Sequence, residues 1–478
     1  MNAPILKLFG LVLVLFAALI GMTSYNSVIN AKAYRDNALN ARPQIEQQRV
    51  RRGVIRARDN SLLAHSVKQS DTLYSRRYTP EAQLFAQVIG YDFLRIARAG
   101  LERSRNDALA GQRNELTSVV DELRGRRREG DNVVTNLDPR AQKIARDALG
   151  ARKGSVVAIE PATGKVRVMV STPGYDPNTL DEKGVYAKLS RDSANSPLLN
   201  RATQAGYVPG STMKVVTAAA ALDSGEFTPD SRVSGKSPRV ISGTPLSNFS
   251  GEQFGDITLT QALTQSVNTV WAQVAEKLGH DRMAEYMTRF GFDTDPPMDY
   301  PDGQMLPSGV YDGGKLLPPG STKVDIGRVG IGQERLRVTP LQMAEVAATV
   351  ANDGMRMKPQ ITSRIVDNDG RTVERIEPQE ARRVMSPESA RQLNEMMANV
   401  VREGTGTAAA LQGIEVAGKT GTAELNIAQH LNQPWFIGFA PRNAPKIAVA
   451  VTIEKVVGGQ GGIVAAPIAK QVMQELLK

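Results

Sequence analysis

A mixed α/β (α+β) domain behind a single membrane anchor is the fold class this sequence predicts, and three observations predict it. One uncharged apolar stretch lies near the N-terminus, strand-like and helix-like runs are interspersed from residue 133 onward, and strand patterns both open and close that region. The chain has 478 residues, 41% apolar and 23% charged, which suits two or three domains and a large core. With no cysteine, disulfides, thiolate metal sites and a cysteine nucleophile are excluded. His65, His280 and His430 are its only histidines, so no metal site is expected, and nucleophilic catalysis is expected to use a base other than imidazole.

Leu8 to Met22 carries no charge, and Pro4, Ile5 and Leu6 extend the run beyond Lys7, whose ammonium can snorkel. Residues 1–25 are therefore expected to be a cytoplasmic tail and transmembrane anchor. A cleaved signal peptide competes, with Ala31-Lys32-Ala33 a poor and distant cleavage site. Lys32, Arg35 and Arg42 follow the segment where only Lys7 and the amino terminus precede it, so charge does not settle orientation. Residues 26–132 read as a small basic domain. Positions 26–130 hold 20 Lys plus Arg against 12 Asp plus Glu, which gives +8 of the total +10. The excess peaks at Arg124, Arg126, Arg127 and Arg128. No aromatic residues interleave with it, so no nucleic acid is expected as partner; anionic membrane lipid or cell-wall polymer suits it better.

Within that region, Arg52 to Ala64 reads as strand, turn and strand around Asp59-Asn60. From 133 to 478 the pattern changes. Asp138-Pro139 caps a helix running to Leu149, and Ser155–Glu160 and Lys165–Ser171 are strands around Pro161–Gly164. Trp435–Phe439 and Lys446–Glu454 form a late strand pair, and Gly462–Leu477 closes the chain as a helix. First and last strands are expected to be neighbours in one sheet.

The chemistry starts at Pro209-Gly210-Ser211-Thr212-Met213-Lys214, where Pro209 and Gly210 break the chain and an apolar helix follows. Lys214 lies one turn beyond Ser211, on the same face, so its amine is expected to reach the hydroxyl. Buried near another cation, that amine loses its proton readily and can serve as general base, while the helix N-terminus favours an alkoxide. A second element, Ser266-Val267-Asn268, falls inside a helical-looking run from Thr260 to Leu278. A third, Lys419-Thr420-Gly421-Thr422, lies on a strand, where an exposed cation beside hydroxyls suits a substrate carboxylate. The backbone N–H groups of Ser211 and Thr422 are candidates for an oxyanion hole.

Ser-x-x-Lys, Ser-x-Asn and Lys-Thr-Gly in this order resemble the penicillin-recognising serine transferases, and within them the class B penicillin-binding proteins of the A type. Further matching stretches are Arg52–Ala64, Asn200-Arg201-Ala202, Gly330-Ile331-Gly332-Gln333, Thr339–Gln342, Gly404-Thr405-Gly406-Thr407 and Trp435–Ala440. Ala205 and Val208 depart mildly from the usual approach to the nucleophile. The resemblance implies a transpeptidase domain with an antiparallel sheet flanked by helices at 133–478, and a pedestal, dimerisation-like domain at 26–132. It implies acyl transfer at the D-Ala-D-Ala end of peptidoglycan stem peptides, with β-lactams as suicide analogues and no cofactor. Ser211 would attack, Lys214 would take its proton, Ser266 and Asn268 would relay it and orient substrate, and Lys419, Thr420 and Thr422 would hold the terminal carboxylate. Glycan polymerisation would fall to a membrane glycosyltransferase partner of the SEDS type, and the catalytic domain would face outside the cytoplasm. A carboxypeptidase or β-lactamase using the same residues, and a non-catalytic scaffold or sensor, are the competing functions.

Four other signals are set aside at this level. Pro318–Lys323 repeats the nucleophile turn but has Val324 where the base belongs; Gly458–Gly462 reads as a turn; Glu395 and Asn399 lie on an apolar helix; and Trp271 reads as core.

Overall fold

The computed structural model describes residues 3–25, 48–112 and 129–478. The cluster Arg124–Arg128 and the residues Lys32, Arg35 and Arg42 lie outside them. Helix α1 (Ala3–Ser24) is followed by β1 (Ile55–Arg56), β2 (Leu62–Lys68), β3 (Tyr74–Tyr78), β4 (Asn132–Thr135), α2 (Pro139–Leu149), β5 (Gly154–Ile159) and β6 (Val166–Thr172). Then come α3 (Lys214–Asp223), α4 (Leu259–Thr264), α5 (Asn268–Phe290), α6 (Pro340–Ala351), β7 (Thr362–Val366), β8 (Thr372–Arg375) and α7 (Pro387–Arg402). The chain closes with β9 (Ala417–Asn426), β10 (Leu431–Ala440), β11 (Ile447–Ile453), β12 (Val456–Val457) and α8 (Ala466–Leu476).

Helix α1 is 22 residues long, with a mean hydropathy of 2.6 over its most apolar 18 residues and no buried side chain. Its length of about 33 Å matches a bilayer core, because the helix continues through Lys7 rather than starting after it.

The larger sheet has the order β9-β10-β11-β5-β6, every pair antiparallel, with β12 added to β10. First and last strands of the domain are neighbours, as expected: Val157 stands opposite Ala450. Alternation along each strand divides the side chains between two cores. Val156, Ala158, Val449 and Val451 pack with Ala145, Leu149, Ile468 and Val472 of α2 and α8. Val157, Ile159, Ala448 and Ala450 face the other way, onto Leu341 and Ala344 of α6. Helix α6, buried at all its residues, starts at Thr339, whose hydroxyl accepts from Gln342 N–H at 3.1 Å. Asp138 caps α2 in the same way, accepting from the N–H groups of Arg140 and Ala141.

The smaller sheet has the order β8-β7-β4-β1-β2-β3. Strands β1 and β2 turn at Asp59-Asn60, with Asn60 at a φ of +67°. β4 runs parallel to β1, with Val133 opposite Ile55, and antiparallel to β7, with Val133 opposite Ile365. A hairpin more than 200 residues downstream thus completes the N-terminal sheet, and the 132/133 boundary falls inside β4.

Candidate active site

Ser211 sits where the chain crosses from the sheet to α3. Tyr207 bridges Val338 with both backbone hydrogen bonds, its N–H donating at 2.9 Å and its carbonyl accepting at 2.8 Å. The Tyr207 hydroxyl and Arg201 Nε both donate to Glu454 Oε1, at 2.6 and 2.7 Å. Trp435 Nε1 donates to Val208 O at 2.9 Å. Gly210 has a φ of +55° and gives its N–H to Gly332 O at 2.9 Å. A Cβ there would lie 3.0 Å from Ala423 N and 3.1 Å from Thr422 O, so glycine is what allows the turn to lie against β9. A 3₁₀ turn, Gly210–Met213, leads into α3, which confirms Ser211 at the mouth of a buried helix.

Three expectations need correction. Ser266 does not lie inside a helix: α4, closed at its start by the Thr258–Gln261 capping box, ends at Thr264, and Ser266 takes a φ of +59° before α5 begins at Asn268. This break aims both oxygens of Ser266 at one amine. Lys214 Nζ donates to Ser266 O at 2.7 Å, Asn268 Oδ1 at 2.7 Å and Ser266 Oγ at 3.2 Å. The direct bond from Lys214 to Ser211 Oγ is not formed. Nor is Lys419 an exposed strand lysine: it is fully buried, and its Nζ donates to Ser266 Oγ at 2.9 Å and to Thr420 O at 3.0 Å. Ser266 Oγ therefore lies between two amines.

Among the described residues no carboxylate contacts either amine. Burial first, and then the Lys419 charge, push the Lys214 amine well below the usual lysine value. Burial brings Lys419 down to about 7. Ser266 O and Asn268 Oδ1 can only accept, and the Asn268 amide is oriented by its own donation to Ser247 O at 3.2 Å. A neutral Lys214 satisfies both with its two N–H bonds and has a lone pair left, so its 3.2 Å contact with Ser266 Oγ is a donation only while the amine is protonated. That is the state a general base requires.

β9 is the edge of its sheet and lines the same cleft. Thr422 stands opposite Pro434, which has no N–H and turns its carbonyl to Thr452 Oγ1 on β11. The Thr422 peptide groups therefore face the open edge, toward Gly210 and Ser211. Thr422 Oγ1 accepts from Gly461 N–H at 3.2 Å, and Thr420 Oγ1 lies 2.6 Å from Thr405 Oγ1. The glycine run at 458–462 is thus more than a turn, since Gly461 is buried against β9 and opens a helical turn. A Cβ on it would lie 2.4 Å from Gly421 O. The other minor signals resolve as core or surface: Trp271 is buried, Lys323 is exposed in its loop, and Glu395 pairs with Arg402 and Arg442.

Residues 154–474 match the model of the penicillin-binding protein transpeptidase domain, and residues 52–133 that of the penicillin-binding protein A dimerisation domain. The peptidoglycan D,D-transpeptidase PbpA of Mycolicibacterium smegmatis is 34% identical over 100% of this chain and 99% of its own length. The protein of the same name from Mycobacterium tuberculosis is 33% identical, over the same shares. The ceftriaxone acyl-enzyme complex of penicillin-binding protein A from M. tuberculosis superposes with a TM-score of 0.82 at 33% identity, over 91% of this chain and 100% of that one. A D,D-transpeptidase domain from Eggerthella lenta gives 0.79 at 31% identity, over 90% and 98%. With the transpeptidase model matched over residues 154–474 and a relative 34% identical along the whole chain, the chain belongs to the penicillin-binding protein transpeptidases.

Proposed function

We propose that this protein is a membrane-anchored peptidoglycan D,D-transpeptidase that works through a serine acyl-enzyme and is inhibited covalently by β-lactams. The observation that carries this reading is a pair of buried amines without counterions meeting at one serine hydroxyl, one helical turn from Ser211. Ser211 Oγ attacks the carbonyl of the penultimate D-Ala of a stem peptide, and its proton goes to the Lys214 lone pair. The C–N bond then breaks. Ser266 passes a proton from Lys214 to the departing D-Ala amine, with Asn268 holding lysine and substrate in place. An amine from a second stem peptide attacks the ester, loses a proton by the same route in reverse, and restores the Ser211 hydroxyl. Lys419, Thr420 and Thr422 hold the terminal carboxylate, and the N–H groups of Ser211 and Thr422 face the oxyanion.

The matching domain models and the acyl-enzyme complexes of the relatives support the reading. Residues 1–25 would be the anchor, 26–132 the pedestal with the 362–375 hairpin completing its sheet, and 133–478 the transpeptidase. The substrate's location places the catalytic domain on the extracytoplasmic face. Glycan polymerisation is assigned to a membrane glycosyltransferase of the SEDS type, and the basic pedestal to contact with anionic lipid. Penicillin labelling followed by peptide mapping tests the nucleophile; an adduct anywhere but Ser211 would refute it. Release of D-Ala measured with and without an amine acceptor tests the transfer, and hydrolysis indifferent to acceptor would make the protein a hydrolase instead.

A further inference from the structure

The two threonine hydroxyls of β9 differ in how their protons are directed. Thr422 Oγ1 accepts from Gly461 N–H, a donor that cannot reverse, so the Thr422 proton remains available to an anion. Thr420 Oγ1 is paired instead with the hydroxyl of Thr405, where either oxygen can donate. If Thr420 donates, its proton is used up inside the protein. If Thr405 donates, Thr420 is left in the same state as Thr422, with a proton for the cleft.

Thr405 is exposed yet firmly held. Its N–H donates to Thr264 O at 3.3 Å, two residues before Ser266. A Cβ on Gly404 would lie 2.4 Å from that same carbonyl, and one on Gly462 2.4 Å from Thr405 O. The loop is wedged between the turn that carries Ser266 and the strand that carries Lys419.

We propose that Thr405 is a positioning residue for carboxylate recognition. It donates to Thr420, so that both β9 hydroxyls offer protons to the terminal carboxylate of a stem peptide or β-lactam. This rests on the transpeptidase reading above. Full-length protein is reacted with benzylpenicillin and with its methyl ester, and the ratio of the two second-order acylation constants is followed. Thr405→Val, which keeps the shape and removes the hydroxyl, is expected to lower the preference for the free carboxylate about tenfold, the worth of one hydrogen bond to a charged group. Thr405→Ser restores it, and Thr405→Val added to Thr420→Val costs nothing further. Thr405→Ala serves if the valine variant does not fold. An unchanged ratio, or equal slowing of acid and ester, would show the contact to be structural and overturn the proposal. Wild-type protein acylated by neither compound would overturn the transpeptidase reading itself, before any variant is compared.

Discussion

Two buried cation clusters in this protein have opposite surroundings. In the N-terminal sheet, Arg52 and Arg76 share Glu102, at 2.9 and 2.5 Å, and Arg52 also meets Asp92 at 3.0 Å. Burial works against the Arg52 charge, but Glu102 and Asp92 outweigh it and hold the guanidinium above its usual value. At the candidate site, Lys214 and Lys419 are buried as deeply but, among the described residues, meet only neutral oxygens, and Lys214 feels the charge of Lys419. Burial alone does not make a group reactive. Withholding the counterion does, because desolvation is then left unopposed.

The comparison can be tested from both sides. Lys214→Ala should slow acylation by penicillin roughly 100- to 10,000-fold, the range for loss of a general base. Its melting temperature should hold or rise, since no ion pair is lost; near-normal labelling would mean another group takes the proton. Glu102→Ala should do the reverse. It leaves Arg76 without its carboxylate and Arg52 with Asp92 alone, which costs about 3–5 kcal/mol in denaturant unfolding, with labelling per folded molecule unchanged.

Asn268→Asp would bring a carboxylate to the lysine pair and erase the difference between the clusters. In wild type, acylation is expected to fall at acid pH as Lys214 gains a proton, and again as pH rises through about 7, where Lys419 loses the charge proposed to attract the carboxylate. The aspartate raises the Lys214 value, so the acid limb of the acylation profile should move up by roughly 1–3 units. An unmoved limb would mean that Lys214 does not set it. Tyr207→Phe has the smallest expected effect. It removes one hydrogen bond to Glu454, worth about 1 kcal/mol in thermal unfolding, and leaves the pH profile in place.

Much of the site can be read from residue order. Ser211 and Lys214 are one turn apart, so local geometry alone puts them at the mouth of one helix, while the partners of the Lys214 amine come from the Ser266 turn instead. The larger sheet is legible in Ser155–Glu160, Lys165–Ser171 and the late pair because each is a short, mostly apolar run bounded by turn residues. The break at Ser266 left no such trace, because Gln265-Ser266-Val267 contains neither glycine nor proline and its positive φ is held by contacts with Lys214 and Lys419 from elsewhere in the chain. Lys419 was misjudged because a strand lysine is ordinarily a surface residue, and nothing nearby in sequence announces that Ser266 and its own neighbour's carbonyl will enclose it. Thr405 and Gly461 were quoted for their motif and their turn, yet their bonds to Thr420 and Thr422 depend on packing between segments far apart in the chain.

The 362–375 hairpin decides how this protein can be dissected. A recombinant fragment starting at 133 would keep β7 and β8 but strip β1 from β4, which leaves a row of peptide groups with no neighbour. Such an edge invites self-association, and residues 26–132 expressed alone would lack the strands that flank their own sheet. Supplied together, the two pieces have complementary edges, so they are natural halves for a split-protein reporter of assembly.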